Sequence, residues 1–260
     1  MQSVEDLFLE QRLFDAHHAM QAELSSEGRI QHDTKSEIFG NIRSEYRRVS
    51  PLYNALTCKK AWNGNDDILL GQSEISRGIW RVRSELEIPP KDLVGVLMQP
   101  ALWVPLLLPG ALVSVVQNDA FKADVSVVIP SAIFRALDVK YQFTQTLYRT
   151  DKAVLIYLED DAVQNTGARF GRHLFLVKQD APEEAVLEYI VEEKQSCLVF
   201  SSYVPKMQEY AAYMLLGRFL AKLRQTSAQF FMCDATLQHF KAAFQRKTTV
   251  LRWLDAVFGA

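Results

Sequence analysis

The spacing of apolar residues predicts helices at both ends of the chain and a run of strands between them. Residues 1 to about 75 repeat apolar side chains at helical intervals. Ser3 and Asp6 are placed to cap a first helix, and Thr34 with Glu37 forms a capping box for a second. We therefore predict helices from Ser3 to a stop at Ser26 and Gly28, from Thr34 to Pro51, and from Pro51 to Lys60.

Partly alternating or apolar segments dominate the middle of the chain, as expected for half-buried strands. Turn sequences at 150–152 and 179–182 separate pairs of these segments. Consecutive strands joined by short loops pair antiparallel, which predicts a meander. The predicted strands are 79–88, 111–116, 124–129, 136–150, 153–159, 169–179, 185–193 and 197–202.

A broad apolar stripe predicts one long helix over residues 205–227, and one or two further amphipathic helices are predicted over 234–259. The stripe repeats at intervals of three and four residues, and its members are Met207, Tyr210, Ala211, Met214, Leu215, Phe219 and Leu223.

Residues 93–118 form a run of 26 residues without a charged side chain, long enough to cross a bilayer. Pro100, Pro105 and Pro109 interrupt the run, and each removes a backbone donor, leaving carbonyls that a lone membrane span cannot satisfy. The flanks also lack a cluster of basic residues. We therefore predict a short helix before Pro100, a second helical turn at 101–108 and a strand at 111–116, with no transmembrane segment.

Composition narrows the class of protein. The 260 residues are 48% hydrophobic and 23% charged, with a net charge of -2, so no general electrostatic attraction to nucleic acid is expected. Cys58, Cys197 and Cys233 lack a CxxC spacing, which argues against disulfides or a zinc site and favours a reducing compartment. The first residues lack the layout of a signal peptide, so we expect a soluble protein that is cytoplasmic, or organellar after removal of a transit peptide.

From residue 78 the predicted order is strand, helix, short helix, six or seven strands and a long helix. This order resembles the helix-grip fold of the START-like superfamily, which includes lipid-transfer START domains and polyketide cyclases. The resemblance implies an α+β fold in which a curved antiparallel sheet wraps on a long C-terminal helix. We predict three parts: a helical N-terminal extension at 1–75, the START-like domain at 76–230 and a C-terminal helical extension at 231–260.

The resemblance also implies a cavity between the sheet and the long helix, which would bind a lipid or other hydrophobic small molecule. His173 shares a strand face with Phe175, and Gln145 shares one with Phe143, so each is a candidate polar contact inside an apolar pocket. Packing of a closed core is the alternative role for all of these side chains. The predicted ligand-binding residues are Trp103, Leu107, Phe143, Gln145, Tyr157, His173, Phe175, Tyr189, Met207, Tyr210 and Met214.

Two further interpretations remain at the level of sequence. One is a structural or assembly subunit that docks on a partner protein through its helical termini, using the aromatic residues Phe8, Phe14, Phe240, Phe244, Trp253 and Phe258. The other is a cyclase-like enzyme with His173 and a tyrosine as an acid and base pair. The sequence contains no HExxH, Walker A, GxSxG or GxGxxG motif, and no catalytic residue, metal site or cofactor is predicted.

Overall fold

A computed structural model describes residues 2–26, 35–57, 69–72, 79–108, 110–130, 139–160, 171–192, 218–219, 221–223, 225 and 248–259. These residues form an α+β fold in which helices cover both faces of one curved antiparallel sheet. The described strands are β1 (Leu69–Gln72), β2 (Ile79–Leu86), β3 (Leu112–Gln117), β4 (Lys122–Ile129), β5 (Val139–Arg149), β6 (Ala153–Asp160), β7 (Arg172–Ala181) and β8 (Glu184–Glu192). The described helices are α1 (Val4–Leu9), α2 (Leu13–Ser26), α3 (Lys35–Thr57), α4 (Pro90–Leu97), α5 (Pro100–Leu107) and α6 (Thr248–Phe258).

The eight strands lie in the order β1-β2-β8-β7-β6-β5-β4-β3, and every neighbouring pair is antiparallel. Strands β3 to β8 follow one another in space as they do along the chain, which confirms the predicted meander. The first long strand, β2, joins the far side of β8, so β1 and β3 are the outermost of the described strands. The strand predicted at 197–202 lies outside the described residues.

Strand β1 has no counterpart among the strands predicted from the sequence. Its four residues, Leu-Leu-Gly-Gln, pair with β2 in a segment that we predicted to be helical or loop. Four residues are too few for an alternation pattern to emerge, so pairing with an existing strand decides this conformation. The division of the chain into parts at 75 and 230 stays a prediction.

The N-terminal helices differ from their predicted limits in two places. The predicted first helix is two helices, because the chain reverses at Gln11, whose φ of 62° is left-handed. The Ser3 cap is confirmed, since its hydroxyl accepts the N–H of Asp6 at 3.0 Å. The predicted stop at Pro51 is wrong, because α3 continues through this residue to Thr57. Packing of α3 against the sheet compensates for the backbone hydrogen bond that proline removes.

Two hydrophobic cores lie on opposite faces of the sheet. We call the face that packs against α4, α5, α6 and helical residues of 218–225 the inner face, and the face that packs against α1, α2 and α3 the outer face. Inner-face residues of β5 to β8 are Phe143, Leu147, Val154, Ile156, Leu158, Phe175, Val177, Leu187, Tyr189 and Val191. Outer-face residues of the same strands are Tyr148, Leu155, Tyr157, Leu174, Leu176 and Ile190.

The apolar run at 93–118 divides as predicted into α4, α5 and β3. Pro90 and Pro100 occupy first helical turns, where a missing N–H costs nothing. Lys91 of α4 forms an ion pair with Asp255 of α6 at 2.7 Å, which joins these two helices. Among the residues that the structure describes, no helix is long and apolar enough to cross a membrane.

Candidate functional site

Strand register brings two of the predicted polar residues into one row on the inner face. Gln145 of β5 pairs with Leu158 of β6, and Leu158 pairs with His173 of β7. Because neighbouring strands lie about 4.8 Å apart, the backbones of Gln145 and His173 are separated by roughly 10 Å. Both side chains are buried, with exposed fractions of 2% and 6%.

Aromatic rings form the inner face beside this row. The ring of Phe175 stacks on Tyr189 at a centroid distance of 4.4 Å and meets Trp103 of α5 edge-on at 5.2 Å. Phe219, from the helical residues near 220, lies 6.3 Å from Phe175 and covers the same surface. Trp103, Phe175 and Phe219 have no exposed surface. The aromatic cluster therefore joins the sheet, α5 and the C-terminal helical residues into one apolar layer.

His173 and Tyr189 form a buried polar contact on this layer. The Nδ1 atom of His173 lies 2.5 Å from the hydroxyl oxygen of Tyr189, and the two rings are 18° from parallel. The imidazole tautomer decides which partner donates the proton. A paired imidazole and phenol are able both to hydrogen-bond a bound molecule and to exchange a proton.

Trp103 and Gln145 hold the end of α4. The indole Nε1–H of Trp103 donates to the carbonyl of Leu97 at 2.9 Å, and Nε2 of Gln145 donates to the carbonyl of Met98 at 3.0 Å. Carbonyls at the end of a helix lack partners within the helix, so these two side chains satisfy acceptors that burial would otherwise leave open. The two residues thus place α4 and α5 over the sheet.

The second polar atom of Gln145 finds no partner in the described part of the chain. Its Oε1 is buried and accepts no hydrogen bond from the residues that the structure describes. The amide orientation is determined by the chemistry, because only the NH₂ group can donate to the Met98 carbonyl. Gln145 therefore presents a lone acceptor within the inner core.

Phe143 lies on the inner face two residues before Gln145, with 1% of its surface exposed. Its cross-strand partner is Asp160, at the end of β6. The Asp160 carboxylate accepts the backbone N–H of Gly171 at 2.8 Å, so this acidic side chain serves the chain's own backbone.

Tyr157 does not join the other predicted residues, because it lies on the outer face. Its neighbours Ile156 and Leu158 face inward, and strand alternation directs Tyr157 to α3. There its hydroxyl donates to the carbonyl of Arg48 at 3.4 Å. Burial, followed by the nearby negative charge of Glu159, raises the pKa of the Tyr157 phenol, which therefore stays protonated.

Four predicted residues cannot be placed, and others were missed. The side chain of Leu107 and the whole of Met207, Tyr210 and Met214 lie outside the described part of the chain. Phe219 and Leu223 pack against the inner face and were not included in the predicted site, although the apolar stripe at helical spacing contains both. Among the described residues, no group of three or more His, Cys, Asp or Glu side chains is placed to hold a metal ion.

No family model matches the sequence. No curated protein matches it either. Two human proteins are among the solved structures that resemble the fold. Human StAR-related lipid transfer protein 5 superimposes with a TM-score of 0.55 at 10% sequence identity, over 73% of this chain and 97% of that one. Human STARD10 superimposes with a TM-score of 0.55 at 12% identity, over 85% of this chain and 91% of that one.

The likeness extends over most of both chains, and it includes the predicted antiparallel sheet and the helices packed on it. At identities this low the comparison concerns the fold alone. The chain therefore has the START-like, helix-grip fold.

Proposed function

We propose that the chain binds a lipid or other hydrophobic small molecule between the inner face of the sheet and the helices that cover it, without making or breaking bonds. The observation that carries this proposal is the inner face itself, an aromatic and aliphatic surface with a few placed polar groups in one row. Such composition is typical of small-molecule sites. Human StAR-related lipid transfer protein 5, which has the same fold, is by its name a lipid transfer protein, and this supports the same class of ligand.

Charge distribution supports a ligand with little net charge. Arg81 and Lys178 both pair with Glu188, at 2.8 and 2.9 Å, on the outer face of the sheet. The carboxylate of Glu188 thus pairs with both positive charges on the face of the sheet opposite the proposed site. An apolar ligand on the inner face would gain about 25 cal/mol for each Å² of surface removed from water.

Access to the inner face requires movement of a covering element. Phe175 is completely buried beneath Trp103 of α5 and the helical residues near Phe219, and the ring of Trp103 is completely buried against the sheet. A ligand that contacts these rings must displace one of those elements from the sheet. We propose that the bound state differs from the present one by such a displacement.

Photo-crosslinking of the full chain tests the proposal. Purified protein is incubated with phosphatidylcholine vesicles that contain a sixteen-carbon alcohol with a diazirine in its chain, then separated, irradiated and mapped by mass spectrometry. We expect adducts on inner-face residues such as Phe143 and Phe175. Adducts confined to outer-face residues such as Leu155 and Leu174, or no uptake of the probe, would contradict the proposal.

The contact between His173 and Tyr189 favours one second candidate, a cyclase-like enzyme in which the pair transfers a proton. This candidate predicts that a hydrophobic molecule extracted from the purified protein is converted over time, with a rate that depends on pH. Replacement His173→Gln would abolish that conversion and its pH dependence. If the wild-type protein and the His173→Gln variant both bind the molecule and release it unchanged, the enzymatic function is contradicted and the binding proposal stands.

The described aromatic residues of the terminal helices pack within the chain itself. Trp253 and Phe258 of α6 are buried in the inner core, and the Trp253 indole N–H donates to the carbonyl of Glu10 at 2.9 Å. Phe8 and Phe14 pack against the outer core. Phe240 and Phe244 lie outside the described residues. We therefore do not propose docking on a partner protein through these side chains.

A further inference from the structure

Gln145 combines deep burial with an acceptor that nothing in the described chain satisfies. Its side chain is 2% exposed, and Oε1 accepts no hydrogen bond while Nε2 donates to the Met98 carbonyl. Buried polar atoms without partners are rare, since each loses its hydration without compensation. The bond to Met98 explains the NH₂ group of this amide but not its carbonyl oxygen.

The neighbours of Gln145 show what surrounds the lone acceptor. Ala123 and Leu158 flank Gln145 on the two adjacent strands, and Phe143 and Leu147 precede and follow it on the same face. All four are apolar, so none of their side chains can donate a hydrogen bond. A donor for Oε1 must come from outside this set.

We propose that Gln145 determines ligand specificity by accepting a hydrogen bond from a hydroxyl or N–H group at the polar end of an otherwise apolar ligand. This inference rests on the proposed function. The hydrogen bond would satisfy Oε1 and leave the bond to Met98 in place. The ligand class is a neutral hydrogen-bond donor with a long apolar body.

The same geometry disfavours ligands whose polar end only accepts hydrogen bonds. An ether or ester oxygen brings a second lone pair against Oε1, and neither atom gains a partner. A carboxylate or phosphate adds a charge that must leave water. The basic side chains of Arg81 and Lys178 do not compensate for that charge, because both pair with Glu188 on the outer face.

The sheet suggests how such a ligand lies. From Gln145 the row on the inner face continues through Leu158 toward His173, and the aromatic cluster around Phe175 lies beside it. A ligand anchored at Gln145 therefore extends its apolar body across β6 and β7 onto the rings. The polar end lies near the junction of α4 and α5, where Met98 ends α4.

Three sixteen-carbon probes test the inference on the full chain: 1-hexadecanol, its methyl ether and palmitate at pH 8. Affinities are measured by displacement of a bound fluorescent alkyl probe. The wild-type protein is expected to bind the alcohol roughly fivefold to tenfold more tightly than the ether, the ratio that one net hydrogen bond supplies, and palmitate more weakly than the alcohol. Equal affinity for the alcohol and the ether would overturn the inference.

Two variants separate Gln145 from other sources of preference. Gln145→Met should reduce the ratio of alcohol to ether affinity to about one, whatever the loss of its bond to Met98 does to the affinity for both probes. Gln142→Met is the matched control, because Gln142 lies on the same strand and the opposite face, and it should keep the wild-type ratio. If Gln145→Met retains the alcohol preference, the inference is wrong. Should this variant not fold, the ranking of the three probes on the wild-type protein decides alone.

Failure of the inference differs from failure of the proposed function. If all three probes bind with equal affinity, the chain has an apolar site and Gln145 does not select its ligand. If none of the probes binds, the proposed site itself is refuted and the inference falls with it.

Discussion

Removal of the Phe175 ring probes the centre of the inner face. The centroid of this ring lies 4.4 Å from that of Tyr189, 5.2 Å from that of Trp103 and 6.3 Å from that of Phe219. The side chain has no exposed surface. Replacement of a buried phenylalanine by alanine costs about 3 to 5 kcal/mol, through lost burial and the cavity that remains. The ring of Phe175 packs against side chains from three other elements, so these elements cannot all close in on the cavity that alanine leaves. We therefore expect a loss of free energy of unfolding near the upper end of that range.

Equilibrium unfolding in urea, followed by tryptophan fluorescence, measures the effect. Leu176→Ala is the matched control: Leu176 is the next residue on β7, is 1% exposed and belongs to the outer core. This variant should lose about 2 to 5 kcal/mol. Both variants should lower the midpoint concentration of urea with little change in slope, as losses of packing do.

The ligand response distinguishes the two variants. The cavity left by Phe175→Ala opens on the proposed site, whereas that of Leu176→Ala opens on the opposite face. A fixed concentration of 1-hexadecanol, one hundred times its dissociation constant for the wild-type protein, should add about 2.7 kcal/mol to the free energy of unfolding of a protein that binds it with wild-type affinity. The inner-face variant should recover more than this value because the ligand also fills its cavity, and the outer-face variant should not exceed it. A loss below about 1 kcal/mol for Phe175→Ala would refute the packing argument, and equal recovery of both variants would refute the location of the site.

Two further substitutions test electrostatic features of the fold. Glu188→Leu removes the carboxylate that pairs with buried Arg81, and it should lower the free energy of unfolding in urea by about 3 to 5 kcal/mol. Glu85→Gln, at an exposed pair, should lower it by less than about 1 kcal/mol. Similar losses for the two variants would contradict the difference expected between a buried and an exposed ion pair. Burial, followed by the positive charge of His18, lowers the pKa of His17 below its usual 6.5. As the pH drops below about 6.5, the imidazole of His17 therefore gains its proton more readily in the unfolded state, and the free energy of unfolding should fall. His17→Gln should lose less stability between pH 7 and pH 5 than the wild type, and an unchanged loss would show that other groups are responsible.

The order of the helices and strands was largely accessible from the sequence. Periodicity of apolar residues and turn signals are local properties, and they located β2 to β8, the two short helices of the apolar run and the helical character of the N-terminal region. Errors occurred where a local signal competed with packing. At Pro51 the signal for a helix end was overruled by contacts of α3 with the sheet, and at Gln11 the chain adopted a left-handed conformation without a glycine to mark it.

The site was only partly accessible for a different reason. Both faces of β6 are covered, so its residues are apolar without alternation and the sequence offers no sign of which side chains point inward. Tyr157 and Tyr189 therefore look equivalent in the sequence, although one contacts α3 and the other contacts His173. The partner of Gln145 was equally hidden, since Met98 lies 47 residues away.

The sequence by itself determined most of the segments that become helices and strands, because the preferences that decide this act between residues a few positions apart. Strand β1 is an exception, since pairing with β2 decides its conformation. Only the tertiary structure decided which face of each strand is inner and which is outer, because that choice depends on which helices cover the two sides of the sheet. The contact of His173 with Tyr189 and the lone acceptor of Gln145 follow from that choice. Both arise from pairing between strands and from helix packing, which involve residues far apart in the chain.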